Sequence, residues 1–102
     1  MAGFTQIIEF TTSHPDEMRK LGDDFRAARE ARGEGPMPLR MTVAEDRDRP
    51  GTYLNIVEFA SYDDAMENSR RSDTSEMAAR MAELCDGPPR FLNLDVVDGW
   101  AR

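Results

Sequence analysis

The sequence predicts an α+β domain in the order β-α-β-β-α-β, with four antiparallel strands and helices on one face. Three observations predict it. Short runs rich in β-branched and aromatic residues alternate with longer stretches of helical periodicity. Proline and glycine punctuate the boundaries at Pro15, Gly33-Glu34-Gly35-Pro36, Pro50-Gly51 and Gly87-Pro88-Pro89. Ile8-Glu9-Phe10 before the first helix is echoed by Val57-Glu58-Phe59 before the second, at equivalent places in a βαβ duplicate.

The elements follow in chain order. Phe4 to Thr11 is the first strand. Pro15 opens a helix, with Ser13 or His14 as N-cap and Asp16 and Glu17 at the positive end of its dipole. That helix runs to about Arg32, with Met18, Leu21, Phe25 and Ala28 as its apolar stripe. The Arg26, Arg29 and Arg32 series reads as a solvated helix face. Leu39 to Glu45 and Thr52 to Ala60 form a hairpin around the polar tip Asp46-Arg47-Asp48-Arg49-Pro50-Gly51. A second helical region starts near Tyr62 and breaks at Ser72-Asp73. A fresh helix follows, with Asp73 as N-cap and Glu76 completing a capping box, and Met77, Met81 and Leu84 on one side. Phe91 to Val97 is the last strand, and Asp98 to Arg102 is a short tail with the only Trp. This is the split βαβ, ferredoxin-like arrangement, in one domain over residues 1–102.

Composition narrows the function. Twenty acids against 13 bases give a formal net charge of −7, which repels phosphate backbones and argues against nucleic-acid binding. One Cys and one His form neither an internal disulfide nor a His/Cys zinc site. No apolar run approaches the roughly 20 residues of a membrane helix. The first residues lack a basic stretch followed by a long apolar core, so a cytoplasmic location without membrane contact is expected.

A sheet has two faces, and helices can cover only one. The more apolar set, Ile8, Phe10, Val57, Phe59, Leu92, Leu94 and Val96, is expected beneath the helices. The other face then carries Ile7, Leu54, Ile56 and Phe91, an apolar patch suited to a second copy packed sheet to sheet. Glu9, Glu58, Asn93 and Asp95 fall on that face too. They either take Arg40 and Arg90 as partners or lie at a wet rim.

The segment Glu58-Phe59-Ala60-Ser61-Tyr62-Asp63-Asp64-Ala65-Met66 resembles the strand-to-helix junction of antibiotic-biosynthesis-monooxygenase-like domains, small members of the dimeric α/β-barrel (ferredoxin-like) superfamily. The resemblance implies a homodimer with one cavity per subunit, between sheet and helices. In members that oxidise aromatic polyketides, an Asn and a Trp four residues apart on the third strand line that cavity. Asn55 and Phe59 have this spacing, with Phe in place of the indole. In haem-degrading members a His on the second helix ligates iron. Asn68, Ser69 and Arg70 stand around that place here, which disfavours haem.

Among single residues, Asn55 is the candidate catalytic group, expected to orient a substrate oxygen. Gln6, Phe59, Tyr62, Met66 and Met81 are the candidate substrate-binding residues. Asn55 and Gln6 are amides among apolar neighbours; they either bind a ligand carbonyl or find partners in backbone and water. Met18, Met66, Met77 and Met81 either adapt to an apolar ligand or fill the core. His14 is the one side chain with an ordinary pKa near neutrality and reads as part of the capping segment. Cys85 reads as a partly buried thiol. Tyr53 and Tyr62 could reach a cavity mouth, and Trp100 either folds over a partner or stays free. The expected protein is a cofactor-free homodimer, without metal or haem, that binds and oxidises or rearranges an apolar aromatic or polyketide-like molecule. The alternative is a non-catalytic small-molecule-binding or stress-responsive dimer.

Overall fold

The chain folds as β1 (Phe4–Thr11), α1 (Pro15–Arg32), β2 (Arg40–Glu45), β3 (Thr52–Phe59), α2 (Tyr62–Ser69), α3 (Ser72–Leu84) and β4 (Arg90–Asp95). The structure is a computed structural model that describes residues 3–33 and 35–102. All strand pairs are antiparallel, in the order β2-β3-β1-β4. The first strand and first helix have the predicted bounds, and the second helical region divides at Arg70 and Arg71, just before the expected break at Ser72-Asp73. No helix among the described residues is long and apolar enough to cross a membrane.

Local chemistry explains the boundaries. His14 holds the N-cap position of α1 without a side-chain cap bond; its backbone N–H donates to Thr12 Oγ1. Gly33 ends α1 at φ 64°, where a glycine costs least, and donates to Arg29 O at 3.1 Å. Ser61 caps α2 by accepting from the Asp64 backbone N–H at 3.1 Å. The expected capping box of α3 does not form. Arg71 holds its N-cap position, and Asp73 lies inside the first turn, its carboxylate engaged by arginines. A carboxylate gains more from guanidinium donors, where both partners are charged, than from a backbone N–H.

Register assigns the faces. Directly opposed residues in an antiparallel pair share a face. On one side the rows read Phe59–Phe4–Asp95, then Met41–Val57–Gln6–Asn93, then Val43–Asn55–Ile8–Phe91. This side meets the helices: Phe4, Phe59 and Ala65 form the buried core, with Val57 and Met66 packed against it. The opposite, open side reads Arg40–Glu58–Thr5–Leu94, then Thr42–Ile56–Ile7–Leu92, then Ala44–Leu54–Glu9–Arg90.

This register corrects the expectation for β4. Leu92 and Leu94 lie on the open side, while Phe91, Asn93 and Asp95 face the helix layer. Val96 lies beyond the strand and donates its N–H to Gly3 O. Both faces of this sheet carry apolar residues, so counting them along β4 could not tell the faces apart, and one step of register exchanges them. The acids on the open side are paired: Glu9 with Arg49 at 3.5 Å, rather than with Arg90, and Glu58 with Arg40 at 3.8 Å.

Candidate functional site

The helix-facing side of the sheet places three amides on neighbouring positions. Gln6 Nε2 donates to its cross-strand neighbour Asn93 Oδ1 at 3.0 Å. Asn55 lies in the next row, between Val43 and Ile8. Its Oδ1 is buried and has no hydrogen-bond partner among the described residues. Leaving a buried acceptor unpaired costs about 1–3 kcal/mol, so Asn55 is not explained as packing. The row is closed in the middle and open at its ends: Val43 is 54 % and Phe91 52 % exposed.

The other predicted binding residues gather at the opposite end of the same face. Phe59 is buried against Phe4 and Ala65, and Met66 packs on that cluster. Tyr62, at the start of α2, meets the Phe4 ring edge-on at 5.3 Å and remains more than half exposed. Four residues of strand, roughly 13 Å, separate this cluster from Asn55. Met81 is half-buried on α3. Tyr53 stacks on its register partner Phe10 at 5.7 Å, beyond Asn55 along β3.

The remaining singled-out residues have structural surroundings. His14 lies 3.5 Å from Glu17 at the exposed start of α1. Burial, with the Asp86 charge second, pushes the Cys85 thiol up from its ordinary pKa, which leaves little thiolate at neutral pH. Trp100 is 85 % exposed. Among the described residues no group of His, Cys, Asp and Glu is arranged to hold a metal ion.

The sequence reading missed one polar centre. Arg29 is not solvated; it is 1 % exposed. It continues the stripe of Met18 and Phe25, where Ala28 was expected and is instead exposed. Its Nε and Nη2 donate to Asp73 at 3.0 and 3.2 Å, Nη1 to Asn68 Oδ1 at 2.8 Å and Pro36 O at 3.2 Å, and Nη2 also to Thr74 Oγ1 at 2.9 Å. The guanidinium lies 5.1 Å from the Phe25 ring centre. One side chain thus ties α1 to the segment before β2, to α2 and to α3. Arg29 above all, with Arg71, holds the Asp73 carboxyl well below the usual carboxylate range. The missed signal was the spacing of residues 18, 25 and 29 on one helical stripe. Two open depressions lie away from Asn55, one at the edge of this centre, lined by Arg32, Arg71, Ser72, Asp73 and Glu76, the other at the hairpin tip around Glu45, Asp46, Arg47 and Pro50.

No protein-family model matches the chain, and no curated protein matches its sequence. Solved structures do match. SnoaB, a cofactor-independent oxygenase from Streptomyces nogalater, superposes with a TM-score of 0.79 at 19% identity, over 100% of both chains. A Caulobacter crescentus protein assigned by name to the antibiotic biosynthesis monooxygenases gives 0.78 at 19% identity, covering 95% of this chain and 92% of its own. Rv0793 from Mycobacterium tuberculosis gives 0.74 at 19% identity, covering 97% and 99%. At these identities the likeness concerns the backbone. The chain has the ferredoxin-like fold of these antibiotic biosynthesis monooxygenase structures.

Proposed function

We propose that this protein is a cytoplasmic homodimer whose subunits each bind an aromatic or polyketide-like small molecule at Asn55 and oxidise it without a bound cofactor. The observation that carries the reading is the buried, unpartnered Asn55 Oδ1 on the helix-facing side of β3. An orphan acceptor calls for a hydrogen-bond donor, and a phenolic or enolic hydroxyl supplies one. The fold shared with SnoaB, a cofactor-independent oxygenase, supports the reaction class. The oxidant is molecular oxygen. A substrate methylene loses two hydrogens and gains one oxygen atom as a carbonyl, and the other oxygen atom leaves as water. Of the other candidate residues, Gln6 lies in the row next to Asn55 and is proposed to line the same site, while Phe59, Tyr62 and Met66 pack at the far end of the face.

The homodimer is supported by the open side of the sheet. Its middle row, Thr42–Ile56–Ile7–Leu92, is an apolar band. Burying such side chains against a second copy stabilises by on the order of 1.5–3 kcal/mol each, before entropy costs.

A second reading, a ligand-binding or stress-responsive dimer without catalysis, is favoured by Phe59. It stands where the resemblance calls for an indole, and it is core, 4 % exposed. Oxygen consumption with hydroxylated polycyclic aromatics separates the two. The proposal expects turnover in the wild type and none in Asn55→Ala, with the dimer intact. A ligand-induced rise in Tm without oxygen uptake supports the second reading. Unchanged ligand affinity in Asn55→Ala contradicts the site itself.

A further inference from the structure

We propose that Arg32 and Arg71, at the α1–α3 junction, form a binding site for a phosphate group, separate from Asn55 and independent of its role. Three guanidiniums converge there on one carboxylate. Arg29 gives Asp73 two bonds, Arg71 Nε one at 3.1 Å, and Arg32 Nη2 one. The Thr74 backbone N–H adds another at 2.9 Å. A carboxylate offers about four lone-pair sites. Asp73 is therefore fully used, and no rotation lets it take a further donor.

Arg29 spends its remaining donors on Asn68, Thr74 and Pro36, so its role is structural. Arg32 and Arg71 differ. The side chain of each gives one nitrogen to Asp73 and makes no other hydrogen bond among the described residues. Among the described residues, the donors left over are Nε and Nη1 of Arg32 and Nη2 of Arg71, whose Nη1 lies against Gly35. Both residues line the same open depression of about 520 Å³, with Ser72, Asp73 and Glu76. Small-molecule sites commonly span roughly 300–1,000 Å³.

Charge points the same way. Among the described residues, three arginines against one aspartate leave a surplus of two positive charges in a chain whose net charge is −7. The other acid on the rim, Glu76, has its own partner in Arg80 at 3.4 Å. A surplus of two matches a phosphate dianion, and guanidinium forks fit its oxygens. The strongly lowered pKa of Asp73 agrees with that surplus. The site is also held in shape. Asp73 tethers both guanidiniums, which lessens the side-chain ordering a ligand must impose. Gly35, at φ 75°, leaves the space for the Arg71 head: a Cβ there would run into its guanidinium.

The test is thermal unfolding of the full chain in sodium phosphate against sodium chloride at equal ionic strength, at pH 7.5. The wild type is expected to gain a saturable rise in Tm with phosphate. Arg32→Gln and Arg71→Gln are each expected to weaken the apparent affinity tenfold or more. Arg32, 44 % exposed, keeps the test open if Arg71→Gln fails to fold. No rise over chloride, an equal rise with acetate, or the same rise in Arg32→Gln overturns the site. Phenyl phosphate distinguishes the two sources of the group. Tighter binding than inorganic phosphate assigns the depression to a phosphate ester, and weaker binding to the free anion.

Discussion

The two faces of the sheet are built from alternate residues of the same strands, and they are made differently. The open side has a continuous apolar row, Ile56–Ile7–Leu92, bordered by paired charges, Glu58 with Arg40 and Glu9 with Arg49. The helix-facing side is covered yet less uniform. Aromatic core occupies one end, and three amides interrupt the rest, one with a buried oxygen that nothing satisfies. A face meant only for packing would put its amides outside. The comparison teaches that covering does not identify a structural face. The open side has the make-up of an interface, and the covered side carries the unsatisfied chemistry.

The largest effect is expected on the open side. Ile56→Arg places a charge in the apolar row, opposite Ile7. In the proposed twofold dimer the change counts twice and is expected to cost roughly 3–6 kcal/mol. Sedimentation should show the 11.5 kDa chain alone, where the wild type is expected at twice that mass. A wild-type monomer at all concentrations breaks the comparison at once.

Next comes the arginine that holds the helix layer in place. Arg29→Ala strips Asn68, Thr74 and Pro36 of a buried partner and should cost about 3 kcal/mol in urea denaturation, toward the low end for a broken buried pair because Arg32 and Arg71 still hold Asp73. The same centre sets the acid response. Asp73 has its folded pKa lowered, so its stabilising contribution is complete above the ordinary carboxylate value near 4 and is lost as pH falls below it. The stability gap between wild type and Asp73→Asn should therefore stay constant from pH 7 to pH 5 and narrow below about 4. A gap that closes already at pH 5 contradicts the lowered pKa.

Most of the fold could be read from the sequence, because strand alternation and helix punctuation are local. Pro15, Gly33 and Ser61 sit at element boundaries for reasons visible in a few neighbouring residues. What could not be read was set by distant partners. Whether Leu92 or Phe91 faces the helices depends on one residue of register against β1, and both choices are apolar. Arg29 is buried because Asn68 and Asp73, about 40 residues away, come to meet it. On the site, Asn55 and Gln6 stood out as amides among apolar neighbours, and both do face the helices. That Gln6 is satisfied by Asn93, and Asn55 by nothing, is a matter of register again.

The smallest expected effect is the most direct test. If Asn55 is kept for a ligand, the free protein bears the cost of its unpaired oxygen, and an apolar isostere relieves it. Urea denaturation of Asn55→Leu without ligand should show about 1 kcal/mol more stability than the wild type, with an unchanged m-value. A loss of 1 kcal/mol or more would mean that Asn55 is bonded within the fold, and would contradict the ligand site.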